Sequence, residues 1–118
     1  MTSLDTLHVR LAETKAEIEA AQRIRYISFY EESAAIPTPA MRTERRDFDD
    51  FDAYAHHLIV VDPARKQDNL GIVGAYRMLT NEGAQKAGRF YTSDEYDISH
   101  LLQAGNRVLE MGRSCVLE

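Results

Sequence analysis

The sequence predicts an α+β domain, and three observations carry that reading. Apolar runs at residues 7–11, 57–61, 72–79 and 108–116 have the length and composition of strands. One amphipathic helical pattern opens at Thr14 and runs to about Glu32. A polar turn, Lys66-Gln67-Asp68-Asn69, joins the two middle strands as a hairpin, so the order β-α-loop-β-β-loop-β is that of an antiparallel meander.

Taken in order, the first run alternates weakly, with Leu7, Val9 and Leu11 against His8 and Arg10. Thr14-Lys15-Ala16-Glu17 then reads as a capping box, whose hydroxyl and carboxylate satisfy free backbone donors of a first helical turn. At about 100° per residue Ala20, Ala21, Ile24 and Ile27 share an apolar face, with Ile18 and Phe29 on its border. Arg25 points between Ala21 and that border pair, at a partly buried margin, and needs a partner or a function there. Residues 33–55 show no periodicity and are expected to form a long loop, because Pro37 and Pro39 break a helix. A loop of that length inside a compact domain is functional or disordered. It carries a basic cluster (Arg42, Arg45, Arg46) and an acidic one (Asp47, Asp49, Asp50, Asp52). The run 57–61 ends at Asp62-Pro63, residues 81–88 form a polar connection with room for one helical turn, and 94–102 suit a short helical piece. The stretch 108–116 is the third long strand. There are no internal repeats.

Bulk properties narrow the class. With 118 residues, 44% apolar and 28% charged, the chain is one ordinary globular domain or less. A formal charge of -5 argues against a nucleic-acid footprint over the whole surface. The single Cys115 excludes an internal disulfide, and without a neighbouring His in the sequence it reads as a small core residue. No secretory signal pattern and no apolar stretch of roughly 20 residues is present, so the expected location is the cytoplasm. The sequence stops at Leu117-Glu118, directly after a strand, which gives the expectation of a partial domain over residues 1–118. An unfinished sheet would leave 108–116 as an open edge prone to self-association.

Four charged residues stand inside apolar elements: Arg25 in the helix, Arg77 in the second hairpin strand, and Glu110 and Arg113 in the last strand. Burying a lone charge is costly, so such residues form either an internal salt-bridge network or a site, and both readings stay open. Residues three apart on a regular strand face opposite ways; a β-bulge at Gly112 would bring Glu110 and Arg113 to one face. His56 and His57 near Asp47, Asp49, Asp52 and Asp62 invite a metal site, but adjacent strand residues point apart and no metal is expected.

These residues also carry a resemblance. Arg25-x-x-x-Phe29, Asp49-x-x-Asp52, Gly74-Ala75-Tyr76-Arg77-Met78-Leu79 and Glu110-x-x-Arg113 are similar in order and approximate spacing to acyl-homoserine-lactone synthases. The longer strings RIRYISFYEE, RDFDDFDAYAHHLIVVD, GAYRML, GRFYTSDEYD and LEMGRSCV resemble more closely the hemolysin-like acyltransferases that perform the first acylation of ornithine-lipid synthesis. The resemblance covers the chain from about Leu7 onward and implies the N-terminal half of a GNAT-type fold, with 33–55 as an acceptor-side loop. One departure is His56, where an acidic residue is usual. Another is that the family continues past the GRSCV string into a donor-binding half, so the isolated chain is expected not to transfer acyl groups.

The implied activity is transfer of a fatty acyl group from an acyl-carrier-protein or coenzyme A thioester to an amino-acid amine such as ornithine. The thioester is a co-substrate, and no tightly bound cofactor is implied. By the same resemblance Glu110 orients or deprotonates the amine, while Arg77 and Arg113 hold Glu110 ionised and bind an acceptor carboxylate. Asp49 and Asp52 recognise an ammonium group, and Arg25 and Phe29 close the acceptor pocket. Arg42, Arg45 and Arg46 offer a dock for an acidic acyl carrier protein, and peripheral membrane contact is compatible with a lipid product. An acyl-homoserine-lactone synthase proper and a non-catalytic binding module of the same fold are the alternatives.

Overall fold

A computed structural model describes residues 7–103 and 105–117. Four strands form one antiparallel sheet in chain order: β1 (His8–Leu11), β2 (His56–Val61), β3 (Ile72–Leu79) and β4 (Glu110–Val116). The α+β expectation holds. β2 and β3 form the hairpin, with Ile59 opposite Ala75 and His57 opposite Arg77, and β1 and β4 are the edges.

Helix α1 (Lys15–Tyr26) begins as its sequence dictates: the Thr14 hydroxyl accepts the Glu17 amide at 3.1 Å. The Glu17 carboxylate turns back to the Glu13 amide at 2.8 Å. The expected single helix instead changes pitch at Ile27–Glu31, a π-helical turn closed by the Glu32 amide on the Ile27 carbonyl at 2.8 Å. Ala20, Ala21 and Ile24 lie flat on Ile59, Ile72, Ala75 and Cys115, the alanines letting helix and sheet approach closely. Each fully buried isoleucine in this layer contributes about 1.5–3 kcal/mol. Arg25 belongs to this face too; it is 1% exposed, so the partly buried margin expected for it is in fact full burial.

A second, smaller core gathers Phe51, Leu79, Ala84 and Phe90 under the far end of β3. It is closed by α3 (Asn81–Ala87), longer than the one turn expected, with Thr80 as its N-cap and Gly88 ending it at φ +98. Gly83 is required: a Cβ there would sit 2.5 Å from the Tyr54 carbonyl oxygen. The stretch 33–55 is also more ordered than expected. Pro39 does not break a helix but opens α2 (Pro39–Glu44), where a missing N–H costs nothing because first-turn donors lack helical partners. A 3-10 turn follows at Asp50–Ala53, capped by Asp49. The expected piece over 94–102 contracts to a single 3-10 turn, Ser99–Leu102.

β4 starts at Glu110, two residues later than expected, since Val108 instead donates its amide to Asn81 Oδ1 at 2.9 Å. Its pairing with β3 carries the bulge: Ala75 faces Cys115 but Arg77 faces Gly112, so β4 holds one extra residue. The left-handed residue is Arg113, at φ +51, not Gly112. Gly112 has open space where a Cβ would stand, so neither conformation nor crowding demands glycine there. The sheet face away from α1 presents Val9, Leu11, Tyr76, Met111 and Val116, all exposed. Among the described residues no helix is long and apolar enough to cross a membrane.

Candidate functional site

Between the two cores runs a buried ionic network. Its base is Asp47, 0% exposed and fastened in place by its own amide, which donates to the Gln22 carbonyl of α1 at 2.9 Å. The Asp47 carboxylate accepts Arg25 Nε at 2.8 Å, Arg113 Nε at 3.1 Å and the Tyr30 hydroxyl at 2.6 Å. Arg113 Nη2 reaches both Asp47 and, at 3.2 Å, the Tyr30 oxygen. The second half is built on Asp52, which takes Arg25 at 3.2 Å, Arg77 Nη1 at 2.9 Å and Gln22 Nε2 at 2.9 Å. Arg77 Nη1 also donates to Asp49 at 2.6 Å. Three guanidinium groups thus meet three carboxylates, and the network is neutral within itself. That balance offsets the cost of taking six charges out of water.

Aromatic rings complete the shell. Arg77 lies against the edge-on pair Phe51 and Tyr91, 5.6 and 5.3 Å from their ring centres, and Arg113 lies 4.8 Å over Phe29. The ionisation of the group follows from this packing. Burial pushes the Asp47 carboxyl up, but Arg25, the Tyr30 hydroxyl and Arg113 together outweigh it and hold it below the usual carboxylate range. Burial and the Asp47 charge raise Tyr30, so its hydroxyl stays protonated and donates. His57, opposite Arg77 on β2, is buried, and burial lowers its basicity below the ordinary imidazole value. Its Nε2 lies 3.0 Å from the Asp52 carbonyl oxygen, which requires the proton on that nitrogen.

The sequence-predicted residues are brought together with one exception. Arg25, Phe29, Asp49, Asp52, Arg77 and Arg113 all belong to the network or its aromatic shell. Glu110 does not meet Arg77 or Arg113, contrary to expectation. It faces Leu79 on the neighbouring strand, and its carboxylate accepts the Tyr91 amide at 3.1 Å, the Thr92 amide at 2.6 Å and the Thr92 hydroxyl. The arginines are drawn to Asp47, Asp49 and Asp52 because those carboxylates arrive from the loop directly above them. Glu110 instead pins the Tyr91–Asp94 turn that carries Tyr91 over Arg77.

Accessibility sorts the three arginines: the side chains of Arg25, Arg77 and Arg113 are 1%, 5% and 25% exposed. Asp49, 26% exposed, is the outward carboxylate and lines an open cleft of about 220 Å³ with Asp50, Phe51, Arg89, Tyr91 and Asp94. The basic cluster is largely occupied. Arg45 pairs with Glu31, and Arg46 pairs with Glu44 and Gln22 and lies over Phe48. His56 and His57 diverge to an exposed and a buried side of β2, and Cys115 is buried, its thiol pushed up to about 11 by burial. Among the described residues no group of three His, Cys, Asp or Glu could hold a metal ion.

Sequence reasoning missed Asp47, Tyr30 and Gln22. One signal was available: three arginines in apolar elements call for three buried acids, and the acidic cluster held four.

The comparisons with known proteins agree with this architecture. Residues 24–118 match the family described as Acetyltransferase (GNAT) domain. The chain is 46% identical over 116 residues to the L-ornithine N(alpha)-acyltransferase of Brucella abortus (strain 2308), covering 96% of this chain and 41% of that protein. It is 45% identical over 118 residues to the protein of the same name from Agrobacterium fabrum (strain C58 / ATCC 33970), covering 97% and 40%. The one from Rhizobium meliloti (strain 1021) is 44% identical over 114 residues, covering 94% and 38%. The chain therefore spans about two fifths of the length of these curated relatives. No solved structure matches it. With the match running from the end of α1 through β2, β3 and β4, the chain belongs to the GNAT acetyltransferase domain family.

Proposed function

We propose that this chain supplies the acceptor side of an N-acyltransferase that acylates an amino-acid amine, with L-ornithine as the first candidate. The observation that carries the reading is the 44–46% identity, over nearly the whole chain, to three proteins named for that reaction. The geometry supports it by dividing labour among the charged residues. Asp49, at the wall of the cleft with Asp50 and Asp94, takes the acceptor ammonium group. Arg113 takes the carboxylate, as the one guanidinium of the three with substantial open surface. Arg77, Asp52 and Arg25 hold these two in place, and Phe29 supports Arg113 from below. Glu110 shapes the cleft through the Tyr91–Asp94 turn, and acts on the amine as a base only if it releases the Thr92 amide.

The donor is an acyl thioester on a carrier protein or coenzyme A. Arg42 and Arg45, exposed on α2 and at its end, offer the positive charge that an acidic carrier protein would meet. The free edge of β4, with Met111 and Val116 exposed beside it, is the proposed surface for self-association. The test is acylation of L-ornithine by the protein carrying this sequence, with both thioesters supplied in turn. Formation of an amide-linked acyl-ornithine is expected. No acylation of ornithine or of any other amino acid with either donor would reject the reading. The commitment of Glu110 to the Tyr91 and Thr92 amides favours a second reading, a binding module without catalysis. In that case ornithine binds and no acyl group moves.

A further inference from the structure

We infer that Tyr30 is a positioning residue, which together with Asp47 clamps Arg113 so that its free nitrogen, Nη1, is presented for an amino-acid carboxylate. This inference rests on the acceptor reading above and assigns a role to a residue that the resemblance leaves without one.

Arg113 spends Nε and Nη2 on Asp47, and Nη2 is shared with the Tyr30 oxygen at 3.2 Å. The remaining nitrogen, Nη1, has no hydrogen-bond partner among the described residues. It is not among the buried unpartnered atoms either, a class confined there to Nη1 of Arg25. The Arg113 guanidinium is therefore bonded through Nε and Nη2, and Nη1 alone stays free and in reach of solvent. A planar fork held along one edge can still hinge about that edge, so the direction of Nη1 is fixed only by a third contact, the bond from Nη2 to the Tyr30 oxygen.

Tyr30 is what closes this arrangement. Its hydroxyl donates to Asp47 at 2.6 Å and accepts from Arg113, standing at the corner where the carboxylate and the guanidinium meet. The π-helical turn carries both contacts, the Phe29 ring against the Arg113 guanidinium and the Tyr30 hydroxyl beside it. Tyr26 and Tyr30 are in ring contact, at 5.3 Å between centres, which fixes the phenol from behind. Without the hydroxyl, Asp47 keeps Arg25 and Arg113, so the network survives, but the guanidinium can hinge and the free Nη1 loses its fixed direction. The effect should fall on recognition of a carboxylate and leave the recognition of an amine intact.

The experiment compares wild type with Tyr30→Phe for binding of L-ornithine and of 1,4-diaminobutane, its analogue without the carboxylate, by calorimetry. Wild type is expected to prefer the carboxylate-bearing ligand, and Y30F to lose about tenfold of that preference, as for one hydrogen bond to a charged group. Affinity for 1,4-diaminobutane should stay within about twofold in Y30F, since that ligand makes no call on Arg113. A preference equal in the two proteins would overturn the inference, as would a wild type without any preference. Tyr30→His, which keeps a polar ring at the corner, should recover part of the lost preference; equal loss in both variants also counts against the role. Should Y30F fold poorly, circular dichroism shows it and Y30H carries the comparison. Acyl transfer is scored separately: a wild type that prefers the carboxylate yet transfers nothing rejects the enzymatic reading and leaves the clamp standing.

Discussion

Asp47 and Asp49 stand two residues apart in the same segment, and each binds an arginine of the sheet, yet they sit at opposite ends of the network. Asp47 is wholly buried and takes Arg25, Arg113 and Tyr30. Asp49 is a quarter exposed, takes Arg77, caps a 3-10 turn through the Phe51 amide at 2.9 Å and borders a cleft. The first is a closed end with every oxygen committed, and the second is an open end with a face to water. The same residue type therefore serves stability at one position and is available for recognition at the other. Burial and the number of donors decide between the two.

The largest expected effect tests the closed end. Asp47→Asn keeps the shape but leaves Arg25 as a buried cation with one partner fewer, and should cost about 3–5 kcal/mol in urea unfolding. A loss below about 1 kcal/mol would mean that the closed end is open to water. Acid titration comes next. Asp47 is held low in the folded state, so its contribution is present above the ordinary carboxylate range and is lost as pH falls through its depressed folded value. His57 acts earlier and for the opposite reason: burial keeps it neutral in the fold, while the unfolded chain protonates near about pH 6.5. Stability should hold above that pH and decline below it, toward the lower folded value. A His57→Gln variant with an unchanged slope between pH 7 and 5 would contradict this.

The open end should respond more weakly in stability and more strongly in binding. Asp49→Asn is expected to cost about 1 kcal/mol or less, because its pair is partly solvated, while weakening ornithine binding measurably. If its stability loss equals that of Asp47→Asn, the distinction between the ends fails. The smallest effect belongs to Arg45→Ala, whose exposed pair with Glu31 should leave the unfolding midpoint where it was. Loss of carrier-protein binding in that variant, read by light scattering or calorimetry, would sharpen the docking proposal.

Much of this was legible in the sequence, and the reasons differ by element. The strands, the hairpin and the start of α1 follow from local periodicity and a capping box, so they could be placed without tertiary knowledge. Arg25, Arg77, Arg113 and Glu110 stood out because charge inside apolar runs is anomalous. Pro39 misled because a proline ends a helix from within yet suits its first turn, and only Thr38 as N-cap decides between the two. Asp47 was hidden among four aspartates in six residues. Nothing local distinguishes them, since the choice depends on the Gln22 carbonyl of a helix more than twenty residues away. Glu110 was recognised, but its partners are backbone amides of Tyr91 and Thr92, and amides leave no mark in a sequence.

The bulge in β4 has a consequence for how that strand can move. A uniform strand can slide along its neighbour in steps of two residues and keep the same side chains inward. β4 cannot, because its one irregular residue, Arg113, is also the residue bound to Asp47, and the left-handed backbone at φ +51 has to stay where that carboxylate waits. The strand behaves as a ratchet with a single tooth. A strand that took the place of β4 against β3 would have to carry such an irregular residue at the same position to keep the bond to Asp47.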